Sequence, residues 1–255
     1  MAVKVYGKPQ AVCPQRVMHC LVEKGVSFEF VLVDIDAMEH KRAEYMEKHL
    51  WQPFGQVPFI ADGDFELFGK RHLASASWFL VYVDYYSPCS CRCFRSSSSE
   101  SRAIVRYFAA KYADRGPNLL GRTAEERAKV EQWLDVEAIT YSPCAFPIVF
   151  NLFLFPIRGL PGNKGEAVAA MEKLDKILEV YEKQLARTKY LAGDEFTLAD
   201  LTHIPVTRYL VEHCGLAYLL DDKPHVKAWW EAVSSRPAWK KVMSFVASGA
   251  SFYAP

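Results

Sequence analysis

The first 33 residues contain two short runs of apolar and polar alternation, separated by a stretch with helical spacing. Residues 3–6 alternate like a β-strand that ends at Gly7. Apolar residues then recur at helical intervals between Pro14, which suits the first helical position, and Gly25, which suits the position after a helix end. Residues 28–33 form a second strand pattern. Because a helix joins the two strands, we predict a parallel β-α-β unit.

The next part of the chain has the pattern of a charged helix, a hairpin and a further helix. Residues 39–49 are rich in charge and predict an exposed helix. Short apolar runs at 58–60 and 65–68 are separated by an Asp-Gly pair, which favours a hairpin turn. Residues 102–112 place their apolar side chains on one helical face. The pattern therefore predicts a first domain with the order β-α-β followed by β-β-α.

Pro58 begins the third predicted strand, and the Val57-Pro58 peptide bond has two interpretations. Proline cannot donate to a strand ladder, so it must begin the strand or occupy a tight turn. The first interpretation is an ordinary trans bond at a strand edge, which is the commoner state. The second is a cis bond, which would leave the N–H and C=O of Val57 pointing outward to pair with a peptide-like ligand.

Residues 69–99 differ in character from the rest of the chain. They include an apolar run at 78–86, a Cys-x-Cys-x-Cys triplet at 89–93 and four serines, without a sustained strand or helix pattern. The triplet lacks the spacing of a structural zinc site, so we predict no metal site. The Gly-Lys pair that begins the segment and the serines before Glu100 can be encoded by splice-junction sequences. We therefore interpret the segment as a translated retained intron or gene-model error; a real insertion would have to bury its apolar run or aggregate.

After a polar linker at 113–122, the pattern becomes helical. Thr123 and Thr197 are each followed three residues later by an acidic residue, as in a capping box. The apolar stripe at 168–185 has strong helical spacing. Together the helical patterns lie at 123–138, 168–185, 226–233 and 237–247. The second part of the chain is therefore predicted to be all-α.

Composition and charge exclude several classes of function. The 255 residues are 51% hydrophobic and 24% charged, which is typical of a globular protein with a sizeable core. Lys and Arg number 31 against 30 Asp and Glu, so nothing in the charge favours nucleic acid or an anionic membrane as a partner. No apolar stretch is long enough to span a membrane, the N-terminus lacks a secretory pattern, and the seven cysteines form no disulfide framework. We expect a cytoplasmic protein without membrane insertion.

These motifs together resemble the plant phi class of cytosolic glutathione transferases. The similar motifs lie at 53–58 (Pro-Phe-Gly-Gln-Val-Pro), 62–65, 67–68, 100–104, 190–193, 198–200 and 229–240. The resemblance implies an α/β thioredoxin-like, glutathione-binding domain at 1–112, interrupted by the atypical insertion at 69–99. It further implies the linker at 113–122 and an all-α domain at 123–255 that forms a hydrophobic ligand site. It also implies a homodimer.

The resemblance implies a glutathione site in the first domain. Val57, beside a cis Pro58, would pair its backbone with the cysteinyl unit of glutathione, and Gln56 would add a polar contact. Glu100 and Ser101 would hold the γ-glutamyl end, with Ser101 at a helix start whose N–H groups attract a carboxylate.

The other end of glutathione is implied to lie near His40 and Lys41, close to the glycine carboxylate. Donors at both ends suit an anionic tripeptide. Glutathione would thus be the co-substrate, and no metal is implied.

The catalytic position departs from the family pattern. Phi enzymes place a serine at the start of the first helix, where its hydroxyl donates to the glutathione thiolate, and the corresponding residue here is Ala11. Losing a hydrogen bond to a charged group costs about 1.5–3 kcal/mol, which corresponds to roughly one or two units of thiol pKa. The run at 11–17 is similar to that of the phi subgroup associated with anthocyanin and flavonoid transport.

Cys13 lies two positions further along and has two interpretations. A thiol at a helix N-terminus can have a lowered pKa and form a mixed disulfide with glutathione, which would give thiol-transferase activity. A free cysteine is also among the most often buried residue types, and this one can simply pack into the core.

The expected function is therefore a glutathione transferase that binds glutathione and conjugates it to apolar electrophiles, as in detoxification, with activity weakened by Ala11. The alternative is a non-catalytic carrier of flavonoids or anthocyanins.

Overall fold

The computed structural model describes residues 2–42, 56–68 and 101–248. Within these ranges, four strands form one sheet with the order β2-β1-β3-β4. Strand β1 (Val3–Gly7) pairs in parallel with β2 (Phe28–Leu32) and antiparallel with β3 (Phe59–Asp62), which pairs antiparallel with β4 (Phe65–Phe68). The predicted parallel pair and hairpin are confirmed.

Helix α1 (Val12–Glu23) joins β1 to β2 and begins two residues before the predicted start at Pro14. It ends as predicted. The N–H of Gly25 donates to Val22 and the N–H of Val26 donates to Leu21, and Gly25 has φ +59°, the left-handed conformation that such a helix end requires. Glycine adopts this conformation without steric cost.

Two further predicted helices of the first domain have different outcomes. Helix α2 (Ser101–Lys111) begins one residue before the predicted range. The charged helix predicted at 39–49 is instead a single 3-10 turn, Glu39–Lys41, in its described part. The rest of the helix predicted at 39–49 lies outside the described residues. The segment 69–99, with its cysteine triplet, also lies outside them.

From Ala124 onward the elements of the described chain are helices joined by short turns and loops. Helix α3 (Ala124–Val136) is capped by Thr123, whose hydroxyl accepts from the N–H of Glu126 at 3.2 Å. It continues into α4 (Ser142–Val149), and wider π-helical segments follow α3, α4 and α6 at Glu137–Tyr141, Phe150–Leu154 and Tyr209–His213. The remaining α-helices are α5 (Lys164–Leu185), α6 (Leu198–Arg208), α7 (Pro224–Ser234) and α8 (Pro237–Ser248).

The predicted capping box of α6 is confirmed. Thr197 caps the helix and the fully buried Asp200 accepts from the Thr197 N–H at 3.0 Å. Asp200 also accepts from the Leu191 N–H at 3.0 Å and from the indole N–H of Trp229 at 2.9 Å. Burial raises the pKa of Asp200 to about 6, against the opposing effect of these donors. This carboxylate ties α6 to α7 and to the loop that precedes the cap.

Helix α1 is the element on which the two halves of the chain meet. It packs against β1 and α2 on one side and against α6 and α8 on the other, inside one continuous apolar core. The amino-terminal tip of α1 therefore lies where both halves can supply side chains.

The helical stretch Ala124–Arg158 is long and apolar enough to cross a membrane by length and composition alone, as the core helices of globular proteins can be. In this protein 44% of its most apolar window is buried inside the fold.

Candidate functional site

The end of β1, the tip of α1 and Val57 approach one another closely. A Cβ atom on Gly7 would lie 2.9 Å from Cγ of Pro14 and 3.6 Å from Cβ of Val57, so only glycine fits without displacement. The Val57-Pro58 bond is cis, as the family resemblance implied. The β1–β3 ladder ends at Phe59, so Val57 lies beyond the last paired residue of that edge.

The tip of α1 is built to attract an anion. Ala11 is the N-cap and makes no side-chain capping hydrogen bond. The first N–H groups of a helix have no intrahelical partner, and here they belong to Val12 and Cys13, since Pro14 has no N–H. Such a tip carries roughly half a positive elementary charge.

Cys13 is half-buried and its thiol contacts Arg16. Its Sγ lies 3.8 Å from Nη1 of Arg16, which is itself completely buried. The sequence pattern left the direction of this thiol open.

Arg16 contacts both helix tips. Its Nη1 lies 3.5 Å from the hydroxyl oxygen of Ser101, the first residue of α2, and its Nε donates to the carbonyl of Thr202 at 2.8 Å. Ser101 is completely buried. Glu100, the other residue implied for the γ-glutamyl end, lies outside the described residues.

A buried carboxylate holds Arg16 in place. Glu137 accepts from Arg16 Nη2 at 2.7 Å, from Arg102 Nε at 2.5 Å and from the Ser142 hydroxyl at 2.5 Å. We call Arg16, Arg102 and Glu137 the charge triad. Burial alone would raise the pKa of Glu137, but Arg102 and Arg16 lower it to about 2, so this carboxylate is ionised.

His40 and Lys41 lie on the 3-10 turn after β2. His40 is buried, and its pKa is lowered to about 4 by burial and by the adjacent Lys41. In the loop before this turn, Asp36 pairs with Lys8, which lies between β1 and α1, and with Arg158, the latter at 2.9 Å. Gln56 precedes Val57 and is half-buried.

Aromatic side chains of the helical part lie beside the tip of α1. Phe153 stacks on His213 with ring centroids 4.6 Å apart, and Tyr209 lies 5.6 Å from Phe153. The Tyr209 hydroxyl donates to the backbone carbonyl of Gln10, the residue before Ala11. We call Phe153, Tyr209 and His213 the aromatic wall.

Neither the charge triad nor the aromatic wall is identified by local sequence patterns. Arg16 and Glu137 are 121 residues apart in the chain, and their types alone predict a solvated helix face rather than a buried pair.

Among the residues that the structure describes, no three His, Cys, Asp or Glu side chains are placed to hold a metal ion.

Comparison with known proteins identifies the family. The model for the N-terminal domain of glutathione S-transferases matches residues 1–69, and the model for their C-terminal domain matches residues 140–237. The predicted domain boundaries lie between these ranges and stay predictions. Glutathione S-transferase F9 of Arabidopsis thaliana is 42% identical over 244 residues, which is 96% of this chain and 97% of that protein.

Solved structures agree with this family. Glutathione transferase F2 from Populus trichocarpa superposes with a TM-score of 0.81 at 37% identity, covering 97% of this chain and 100% of that one. Glutathione S-transferase I from maize, solved in complex with an atrazine glutathione conjugate, superposes with a TM-score of 0.77 at 34% identity, covering 98% and 100%. The chain therefore belongs to the glutathione S-transferase family and, within it, to the plant phi class.

Proposed function

We propose that the chain binds glutathione at the tips of α1 and α2 and conjugates it, weakly, to apolar electrophiles. The observation that carries this proposal is that Val57, α1 and Ser101 converge. A strand edge next to a cis proline lies beside Gly7 and Pro14, and Arg16 joins α1 to Ser101. An extended, anionic tripeptide needs both a backbone edge and N–H groups that favour negative charge.

The backbone of Val57, beside Pro58, is assigned to the cysteinyl unit of glutathione and Gln56 to a polar contact. Ser101, together with Glu100, is assigned to the γ-glutamyl end. For Ser101, the supporting observation is that it begins a helix of 11 residues whose N-terminus attracts a carboxylate.

The glycine carboxylate of glutathione is assigned to His40 and Lys41. Because burial and Lys41 hold the pKa of His40 near 4, we expect His40 to act as a neutral hydrogen-bonding group and Lys41 to supply the positive charge. The ion pairs of Asp36 with Lys8 and Arg158 support a position for this loop beside the tip of α1.

The reaction requires glutathione as a thiolate. The thiol proton passes to solvent, the sulfur attacks an electrophilic carbon of the acceptor, and the displaced group leaves with its bonding electron pair. In this chain the backbone N–H groups of Val12 and Cys13 can stabilise the thiolate, but Ala11 offers no hydroxyl. The missing hydrogen bond is equivalent to roughly one or two units of thiol pKa, which is the reason to expect weak conjugation.

The acceptor is proposed to bind at the aromatic wall. Tyr209 of this wall donates to the carbonyl of Gln10, the residue before Ala11, so a flat apolar molecule stacked on the wall would lie near the tip of α1. The second candidate function, a flavonoid or anthocyanin carrier, is favoured by two of these observations together. The wall can bind a flat aromatic ligand, and Ala11 removes the side chain that would activate glutathione.

Three measurements test these proposals. Purified protein should be retained on immobilised glutathione and released by free glutathione. Lack of retention would refute the glutathione site.

Turnover of a generic aromatic electrophile should rise about tenfold or more in Ala11→Ser. Ala11→Gly is the control, because it adds no hydroxyl. An anthocyanin should quench tryptophan fluorescence if the chain is a carrier, whereas rapid wild-type turnover without quenching would reject the carrier.

A thiol-transferase role for Cys13 is a minor variant of the proposal. The contact of Sγ with Arg16 suits both interpretations, because a cation favours a thiolate and a half-buried thiol can also pack against its neighbours. Unchanged thiol-transferase activity in Cys13→Ser would eliminate the reactive interpretation. The homodimer and the cytoplasmic location stay proposals supported by the family relationship, and sedimentation and cell fractionation test them.

A further inference from the structure

Residues 8–11 form the turn that leads from β1 into α1, and we call them the tip turn. The N–H of Ala11 donates to the carbonyl of Lys8 at 2.9 Å and closes the turn, and the N–H of Gln15 donates to the carbonyl of Ala11 at 3.2 Å. Pro9 occupies the second position of the turn, which its fixed φ favours. The conformation of the tip turn therefore sets where α1 starts and where its first N–H groups lie.

Two side chains hold the other carbonyl groups of the tip turn. Nε2 of the fully buried Gln15 donates to the carbonyl of Pro9 at 3.0 Å. The hydroxyl of Tyr209 donates to the carbonyl of Gln10. Either carbonyl would lose its partner if the turn moved, so each contact favours the observed turn. Gln15 belongs to α1, whereas Tyr209 comes from the helical half of the chain, 199 residues from Gln10.

The identity of the N-cap makes these outside contacts more important. Ala11 makes no side-chain capping hydrogen bond. A serine, threonine or asparagine at that position would bind an N–H of the first turn and help to fix the chain that enters the helix. With alanine there, the tip turn depends more on side chains from outside it, and Gln15 and Tyr209 are two such side chains.

The surroundings of Tyr209 keep its hydroxyl in place as a donor. Tyr209 is 6% exposed, and the guanidinium carbon of Arg208 lies 5.2 Å from the centre of its ring. Arg208 is itself fixed, because it donates to Glu212 at 2.8 Å and to Nε2 of His213 at 2.9 Å. Burial raises the pKa of Tyr209 against the opposing effects of Arg208 and Gln15, so the phenol is protonated at physiological pH.

The ring and the hydroxyl of Tyr209 serve different parts of the proposed site. The ring belongs to the aromatic wall, with its centroid 5.6 Å from that of Phe153 and 5.2 Å from that of His213. The hydroxyl reaches the tip turn instead. A phenylalanine at this position would keep the ring and remove only the contact with the turn.

We propose that Tyr209 and Gln15 are positioning residues for glutathione: their hydrogen bonds hold the tip turn in the conformation that presents the first N–H groups of α1 to the bound tripeptide. The inference rests on the proposed function, since it needs glutathione at the tip of α1. The two side chains act through the carbonyls of Gln10 and Pro9 and need no contact with glutathione. They keep the binding-competent turn populated, and apparent affinity falls in proportion to the fraction of molecules that hold that conformation.

The test compares two substitutions that each remove one buried hydroxyl from the helical half. Tyr209→Phe removes the donor to Gln10 and should raise the Kd of glutathione, measured by calorimetry, about two- to tenfold. Tyr141→Phe is the matched control, because Tyr141 is equally buried and its hydroxyl pairs with that of Thr207 at 2.8 Å, inside the helical core. This control should leave the Kd of glutathione unchanged.

Amide hydrogen exchange gives a second readout that a general loss of stability would not change selectively. The N–H of Ala11 closes the tip turn, so it reports directly on opening of that turn. It should exchange faster in Tyr209→Phe than in the wild type, and at the wild-type rate in Tyr141→Phe.

Weaker glutathione binding with faster exchange at Ala11, both confined to Tyr209→Phe, supports the proposal. An unchanged Kd in Tyr209→Phe overturns it, and so does an equal loss of affinity in the two phenylalanine variants. Loss of affinity without faster exchange at Ala11 also overturns it, because the hydroxyl would then not act through the turn. If Tyr209→Phe does not fold, Gln15→Met decides, since it keeps an unbranched side chain and removes the donor to Pro9. Weaker binding in that variant supports the proposal, and an unchanged Kd overturns it.

Failure of this inference is distinguishable from failure of the proposed function. Calorimetry of the wild-type chain with glutathione comes first, and absence of binding there refutes the proposed function. Binding by the wild type, together with a Kd that ignores the loss of the Tyr209 hydroxyl, refutes only the positioning role.

Discussion

Acidification from pH 7 to pH 5 should destabilise the wild-type chain more than a variant without His203. This histidine is 0% exposed and lies in the helical core against the rings of Tyr141, Tyr181 and Trp229. Its two ring nitrogens are both hydrogen-bonded in the neutral form. Protonation would place a second N–H against the Tyr181 hydroxyl, which currently donates, and would bury a charge.

The magnitude follows from the pKa of His203. Burial lowers this pKa to about 4, whereas an exposed histidine in the unfolded chain has a pKa near 6.5. The unfolded state therefore binds a proton that the folded state does not. The contribution of His203 is fully present above about pH 6.5 and is lost progressively as the pH falls towards 4. Between pH 7 and pH 5 the loss is about 2 kcal/mol in the free energy of unfolding.

Urea unfolding of the wild type and of His203→Asn at both pH values measures this loss. The variant is expected to be less stable at pH 7, because it loses ring packing and a hydrogen bond, but its stability should fall less on acidification. Other groups titrate in the same interval, among them Asp200, whose raised pKa acts in the opposite direction, so the comparison uses the difference between the two proteins. Equal losses in wild type and variant would refute a buried neutral His203.

Two further substitutions test contacts on either side of the site. Gly7→Ala should lower the free energy of unfolding by about 1–3 kcal/mol and weaken retention on immobilised glutathione, because the new Cβ would lie 2.9 Å from Pro14; a neutral result would mean that α1 shifts freely. Trp229→Phe should cost about 1.5–3 kcal/mol at pH 7 by removing the indole donor to Asp200. The cost should be smaller at pH 5, where Asp200 is protonated and needs fewer donors, and equal costs at the two pH values would contradict the raised pKa of Asp200.

Local patterns predict the first domain well because its elements are defined by neighbouring residues. The parallel β1–β2 pair follows from a crossover helix, the β3–β4 hairpin follows from an Asp-Gly turn, and Gly25 ends α1 because no other residue type adopts its conformation so easily. The predicted start of α1, at Pro14, is two residues too late for a simple reason. Pro14 is the third helical residue rather than the first, since the first turn of a helix needs no N–H from any of its residues.

The stretch from Ser142 to Arg158 has no predicted element, although the structure makes it helical. A proline lies inside α4 at Pro147, and two π-helical segments interrupt the 3.6-residue period on either side. Both features break the spacing on which a sequence-based prediction depends. The side-chain amide of Asn151, four residues further along, donates to the Pro147 carbonyl at 2.8 Å.

The same limit applies to the site. Ala11, Val57 and Ser101 are placed at the site by the resemblance to the phi class; from the residues alone the Val57-Pro58 bond stays open between cis and trans. Glu137 cannot be placed from sequence, because its partners lie 35 and 121 residues away and only the folded core brings them together. Tyr209 is 199 residues from the Gln10 carbonyl to which it donates, so no local pattern marks it as part of the site.

Ala11 is the residue on which the choice between transferase and carrier depends. A serine there could do two things at once, because a hydroxyl has one donor and two acceptor sites. It could accept from the N–H of Cys13 as a helix cap and donate to a thiolate. Replacing such a cap by alanine costs about 0.5–2 kcal/mol of helix stability, so stability does not explain the alanine at this position.

Without that hydroxyl, the tip of α1 keeps the positive field of two backbone N–H groups and of the buried Arg16. A field can hold a bound anion without a directed hydrogen bond, which suits tight binding of glutathione better than its rapid consumption.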